Sequence, residues 1–168
     1  VADLMNRVRQ PFNVNNLALA GAIAALDDHV FLAESYELNR RGMEETLDRE
    51  FKRAERTSGQ LSVALLDIDN FKQLNDTLGH QAGDQALVHL SHIIKEAIRP
   101  TDSVARYGGE EFLIILPDTS LKDAVDAVER LQRELTRKFF LHNNERKLIT
   151  FSAGVALLVA GEDRVDLI

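Results

Sequence analysis

Apolar residues fall into short continuous or alternating runs and longer stretches at helical spacing, with glycine or proline at most of the boundaries. Residues Asn16 to Arg41 are Ala/Leu-rich and read as helix, after an irregular approach through Arg9-Gln10-Pro11-Phe12-Asn13-Val14-Asn15. Met43, Leu47, Phe51 and Ala54 then recur at spacings of four, four and three, which places them on one face of a helix ended by Ser58-Gly59. Leu61–Asp69 is short and apolar, so it reads as a buried strand with carboxylates at its C-terminal end. Ala86, Leu87, Leu90, Ile93, Ile94, Ala97 and Ile98 trace an amphipathic helix that stops near Arg99-Pro100, because the residue before proline avoids the helical region. Ser103–Tyr107 and Glu110–Leu116 form a predicted hairpin joined by Gly108-Gly109, a pair able to supply the positive φ of a two-residue turn. Ser120-x-x-Asp123 has the capping pattern and opens a helix with Leu121, Val125, Val128, Leu131 and Leu135 on one face. Leu148–Val159 reads as a further strand. The alternation of strands and helices, with one hairpin, predicts an α/β (α+β) domain whose central mixed sheet is flanked by helices.

Composition narrows the function. A chain of 168 residues, 45% hydrophobic and 28% charged, has the size of about one domain and the makeup of a packed globule. Twenty Lys+Arg against twenty-seven Asp+Glu leave a net charge of −7, which argues against nucleic acid as a partner and leaves small nucleotides open. The absence of cysteine excludes disulfides, Cys-ligated zinc, iron–sulfur clusters and thiol catalysis. Leu17–Leu26 is too short to span a bilayer and lacks the basic start of a signal peptide, so no membrane segment is expected.

The candidate chemistry is acidic. Asp67 and Asp69 end one predicted strand, and Glu110 and Glu111 begin another immediately after the glycine pair. If the two strands are neighbours, carboxylates converge at one sheet edge beside glycine backbone and Lys72. Hard oxygen donors of this kind suit Mg²⁺ or Mn²⁺ with substrate phosphates, which points to phosphoryl chemistry. For any single acid the plain alternative is a strand ending at solvent. His89 and His92 lie three apart on a helix but have no further ligand at metal spacing, and Arg130, Arg133, Arg137 and Lys138 read as a solvated face.

The run Arg106-Tyr107-Gly108-Gly109-Glu110-Glu111-Phe112 resembles the signature of GGDEF-domain diguanylate cyclases in its GGEEF form. Asp67-Ile68-Asp69-Asn70-Phe71-Lys72, Asn75-Asp76, Gly79-His80 and Gly83-Asp84 are similar, in order and spacing, to the second motif of that family. The resemblance covers about Leu38 to Ile168 and implies a class III nucleotidyl cyclase-like fold with GGEEF on a β-hairpin. It also implies a cytoplasmic reaction in which two GTP condense to cyclic di-GMP with release of two pyrophosphates, in a homodimer with one GTP per domain. Carried over by residue, it makes Asp67, the Ile68 carbonyl and Glu110 metal ligands, with Glu111 in the same set and Mg²⁺ or Mn²⁺ as the ion. It makes Glu110 the base for the attacking 3′-hydroxyl and gives Lys72 to the phosphates. It assigns Asn75 and Asp84 to the guanine edge, Phe71 and His80 to packing around the substrate, and Gly108 and Gly109 to close backbone approach. Arg99-Pro100-Thr101-Asp102 is similar to the family's RxxD site, where product binds and inhibits, with Arg99 and Asp102 as its contacts.

Of the opening D-x-L-T-x-L-x-N-R motif of the family only Leu38-Asn39-Arg40 is present. Residues 1–37 instead resemble part of histidinol-phosphate aminotransferases, which implies a fused helical leader before a GGDEF domain at 38–168. The segment holds no lysine before Lys52 for a pyridoxal Schiff base. The family's last helix does not follow, so the domain is expected to be C-terminally truncated. Two rivals to the enzyme are a catalytically silent cyclic di-GMP receptor or signalling module, and an inactive truncated fusion.

Overall fold

The structure is a computed structural model in which residues 29–158 are described, with side-chain surroundings from Glu37 onward. The predicted helix from Asn16 to Asp28, the irregular approach before it, the aminotransferase-like leader up to that point and the end of the chain lie outside the described residues. The chain divides into two compact units, Val1–Ser35 and Tyr36–Ile168. The described elements are α1 (His29–Thr57), β1 (Leu61–Ile68), α2 (Phe71–Leu78), α3 (His80–Ala97), β2 (Ser103–Arg106), β3 (Glu111–Pro117), α4 (Leu121–Arg137), β4 (Phe140–His142), β5 (Glu145–Lys147) and β6 (Phe151–Leu158). Among the described residues no helix is long and apolar enough to cross a membrane.

Four strands form one sheet in the order β2-β3-β1-β6, and β4-β5 form a separate hairpin. β1 pairs antiparallel with both β3 and β6, and β2 pairs antiparallel with β3. The helical crossover from β1 to β2 therefore joins strands of like direction that β3 separates. The crossover from β3 to β6 likewise joins two strands that β1 separates. This interleaving is the split β-α-β arrangement. It refines the expected mixed sheet: strand–helix alternation sets like directions across each crossover, while every hydrogen-bonded neighbour among the described residues is antiparallel.

Side chains alternate across the sheet and build a core on each face. Ala64, Leu66 and Ile68 of β1, with Phe112, Ile114 and Leu116 of β3, pack against Leu90 and Ile94 of α3 and Val128, Leu131 and Leu135 of α4. On the opposite face Leu61, Val63, Leu113 and Ile115 meet Met43 and Leu47 of α1, with Phe51, Ala54 and Tyr107 packed at the margin. The spacing of Met43, Leu47, Phe51 and Ala54 thus marks the core-facing side of α1.

Several boundaries differ from the periodicity reading. α3 begins at His80, before Ala86, and β6 begins at Phe151, with Leu148 63% exposed ahead of it. The buried face of α4 is Ala124, Val128, Leu131 and Leu135, whereas Leu121 and Val125 are exposed. Ala124, at four residues before Val128, takes the place in the buried row that was expected of Val125. The cap is as expected: Ser120 Oγ accepts from the Asp123 amide at 3.1 Å. Ser120→Ala is expected to cost about 1 kcal/mol of stability, measured by urea denaturation, and an unchanged midpoint would contradict the cap.

Candidate active site

Cα register places Asp67 opposite Glu111 across the β1–β3 pair. Directly opposed residues project from the same face of an antiparallel pair, so the two carboxylates share one face at the end of the sheet. Beyond them the Ile68 amide donates to the Glu110 carbonyl at 3.3 Å, which continues the ladder one step into the loop. The two predicted strands are neighbours, and the backbone brings Asp67, Ile68, Glu110 and Glu111 to the same end of the sheet.

Asp69 departs from the group. Its carboxylate accepts from Thr150 Oγ1 at 2.5 Å and Ser152 Oγ at 2.6 Å, and its amide donates to the Thr150 carbonyl at 3.0 Å. The hydrogen bonds from Ser152, then Thr150, hold its carboxyl below the usual carboxylate range. The expected convergence of four acids is therefore corrected: Asp69 ties the end of β1 to the β6 side. Among the described residues no three acidic or imidazole side chains make a ready-made metal cluster. The donors present still fit a hard divalent ion that takes one or two carboxylates and completes its shell with phosphates and water.

Asn70 turns the chain out of β1 in the left-handed conformation, φ 57° and ψ 29°, which asparagine tolerates better than most residues. α2 starts at the next residue, so Lys72 lies in its first turn, exposed, just past the sheet's acidic end. Gly79, with φ 86°, joins α2 to α3, and its amide donates to the Asn75 carbonyl at 2.8 Å. This tight link brings Asn75 and Phe71 of α2 against Gly83 of α3, beside Asp84. Phe71 is partly buried against the core, while His80 and Asp84 are exposed in the first turns of α3.

The loop between β2 and β3 departs from the predicted turn. Arg106 and Phe112 are register partners, so the connection is wider than two residues, and neither Gly108 nor Gly109 has positive φ. The Arg106 guanidinium shapes the loop instead: its Nε donates to the Gly109 carbonyl at 2.9 Å and the Gly108 carbonyl at 3.2 Å. Glycine is needed at 108 for space, because a Cβ there would overlap Glu111 Oε2 and lie 3.1 Å from its Cδ. At Gly109 a Cβ would meet nothing within 4 Å. The motif run includes Arg106, and the structure gives it this part: its guanidinium ties down the carbonyls of two successive glycines.

Arg99 and Asp102 are brought together by a turn in which Asp102 Oδ2 accepts from the Arg99 amide at 2.8 Å. They line a cleft of about 240 Å³ with Asp126, Arg130 and Thr119. Arg130, read from the sequence as part of a solvated face, therefore stands on the same cleft as the RxxD pair. The α3–β2 turn and α4 meet only in three dimensions. His89 is half-buried with its ring centroid 5.8 Å from that of Phe140, and burial lowers its imidazole pKa.

The family model described as "Diguanylate cyclase, GGDEF domain" matches residues 38–168. The chain belongs to this family. The GGDEF domain is 40% identical over 124 residues to diguanylate cyclase DgcP of Pseudomonas aeruginosa, a match that covers 74% of this chain and 18% of that protein. The crystal structure of the GGDEF domain of DgcB from Caulobacter crescentus in complex with c-di-GMP aligns with a TM-score of 0.72 at 34% identity, covering 76% of this chain and 77% of that one. Histidinol-phosphate aminotransferase 1 of Dechloromonas aromatica is 40% identical over 134 residues, 77% of this chain and 32% of that protein. A match of that length cannot be confined to residues 1–37, so it gives the aminotransferase-like reading of that segment no separate support. The chain spans less than a third of the length of the curated relatives DgcP and aminotransferase 1.

Proposed function

We propose that this GGDEF domain condenses two GTP into cyclic di-GMP with release of two pyrophosphates, as a homodimer in which each domain holds one GTP. The observation that carries the reading is the register pairing of Asp67 with Glu111, continued by the Ile68–Glu110 hydrogen bond, next to the short α2 that bears Lys72. A divalent ion, Mg²⁺ or Mn²⁺, held by Asp67, the Ile68 carbonyl, Glu110 and Glu111, supplies charge neutralisation for the triphosphate when bound.

The chain's own residues divide the remaining work. Asp84 accepts from the N1–H and N2–H donors of guanine and Asn75 meets an acceptor of the base, a pattern that favours GTP over ATP. Phe71 and His80 border the base site. Gly109, open on its outer side, lets a phosphate approach the loop backbone, and Gly108 leaves room for the Glu111 carboxylate. Glu110 takes the proton of the 3′-hydroxyl. The freed O3′ attacks the α-phosphorus of the partner's GTP, the bond from that phosphorus to the bridging oxygen breaks, and pyrophosphate leaves. Lys72 steadies the charge that develops on the phosphoryl oxygens. A second, reciprocal step closes the ring. The two GTP sit in separate domains, so the reaction requires two copies face to face. Calorimetric titration with Mg²⁺ and 3′-deoxy-GTP, which lacks the attacking hydroxyl, should give one nucleotide per chain, with 3′-deoxy-ATP bound far more weakly; equal binding of the two nucleotides would defeat the reading.

The cleft holding Arg99, Asp102 and Arg130 supports product inhibition, since arginine forks suit phosphate oxygens and guanine edges. Arg99→Ala is expected to leave the initial rate unchanged and to raise the cyclic di-GMP concentration needed for half-inhibition by at least about tenfold, the scale of a lost charge-assisted contact. An unchanged inhibition curve would remove Arg99 from that role. The same cleft favours a second reading, a catalytically silent cyclic di-GMP receptor, for which the Asp67, Glu110 and Glu111 carboxylates and Lys72 have no use.

A further inference from the structure

We infer that Gly83 is a positioning residue for base recognition: its missing side chain is the slot that holds the Asn75 amide. The inference rests on the proposed guanine role of Asn75 and extends it to a residue that contributes no contact of its own. Gly83 is buried in the first turns of α3 and does not have positive φ, so the backbone there does not call for glycine. Glycine within a helix is less favourable than alanine. Volume supplies the reason for it. A Cβ at position 83 would overlap Asn75 Oδ1 and lie 2.9 Å from Asn75 Cγ and 3.1 Å from Phe71 Cζ.

The amide packs into the slot through its oxygen end. Asn75 Oδ1 is buried and has no hydrogen-bond partner. With the oxygen sealed against Gly83, the Nδ2 arm is the one left to meet a ligand, and it can only donate. Asp84, the residue after Gly83, can only accept when ionised. An acceptor at Asp84 suits the two neighbouring donors of guanine, N1–H and N2–H, and a donor at Asn75 suits one of its acceptors, whereas adenine has no N1–H to offer the carboxylate. The atom a Cβ would displace is the free end of a short side chain, so alanine at 83 is expected to leave the fold intact and push the amide off its position.

The test is a double-substitution cycle read by calorimetric GTP binding in the presence of Mg²⁺, with 3′-deoxy-GTP, which lacks the attacking hydroxyl, as the titrant, and with circular dichroism melting of each variant. Gly83→Ala is expected to weaken GTP binding about tenfold, the scale of one lost hydrogen bond. Asn75→Ala should cost a similar factor, and the double variant should bind no more weakly than Asn75→Ala alone, because position 83 acts only through the amide. Wild-type affinity in Gly83→Ala, or a double variant whose loss is the product of the two single losses, would overturn the inference. If Gly83→Ala does not fold, the double variant, with its slot emptied, should regain the melting transition; a double variant that also stays unfolded counts against the slot. A folded wild type that binds no GTP would instead strike the guanine reading itself, and the inference with it.

Discussion

Glu110→Gln is expected to reduce cyclic di-GMP formation by about a thousandfold or more, on the scale of removing a general base, while the melting curve is retained. Glutamine preserves the size of the side chain and removes both its basicity and its charge. The contact that anchors residue 110 is made by its backbone carbonyl, which accepts from the Ile68 amide at 3.3 Å, so the substitution leaves that anchor in place. The side chain is half-buried at the rim of the loop and belongs to neither apolar core. Initial rates by chromatography of the nucleotides, beside a melting curve of each protein, separate lost chemistry from lost fold. Turnover at the wild-type rate would remove Glu110 as the base.

Leu90→Ala is expected to lower unfolding free energy by about 2–5 kcal/mol, the range for truncating a fully buried leucine. Leu90 is 0% exposed in the middle of α3, where it meets the sheet face formed by Leu66, Ile68, Phe112 and Ile114. One face of that helix is buried from Ala82 to Ile94, leaving the neighbourhood little freedom to collapse onto a void. Val88, on the same helix and 55% exposed, is the internal control: Val88→Ala should change stability by less than about 0.5 kcal/mol. Urea denaturation of the three proteins checks both values. A loss below about 1 kcal/mol for Leu90→Ala would contradict the packing described.

These two residues also show what the sequence made legible. Leu90 belongs to a repeating apolar row that follows from the helical period, while β1 was legible as a short continuous apolar run and β3 as the strand after a glycine pair. The Ser120 cap was legible because its partner lies three residues away. Glu110 was legible as a candidate through the motif, and the neighbour relation of β1 and β3 was posed as a condition that the sheet then satisfied. Elements without a buried row were missed. α2 has no buried residue, so its eight residues read as a polar stretch, although Asn70 and Gly79 bracket it with the two residue types that favour positive φ. The β4–β5 hairpin has strands of three residues each, too short for periodicity. Asn143-Asn144, with φ 49° and 63°, was its available signal, since two positive φ values mark the preferred two-residue turn.

Other features depend on contacts between elements. The interleaved strand order arises when two crossovers share one sheet, and no local pattern encodes it. The diversion of Asp69 to Thr150 and Ser152 joins residues 81 and 83 positions apart. Arg130 looked like part of a charged face along its own helix and reached Arg99 and Asp102 only through the packing of α4 beside the α3–β2 turn. The glycine pair was misread in mechanism: a turn requirement was inferred where Gly108 instead clears space for Glu111 and Arg106 holds the loop's carbonyls.

The most direct test of the central claim is incubation of the purified chain with GTP and Mg²⁺ at several protein concentrations, with products identified by mass spectrometry. The account predicts cyclic di-GMP and pyrophosphate, with a rate that rises more steeply than linearly in protein concentration because two domains must meet. A folded, GTP-binding chain that forms no cyclic di-GMP at any concentration would contradict it.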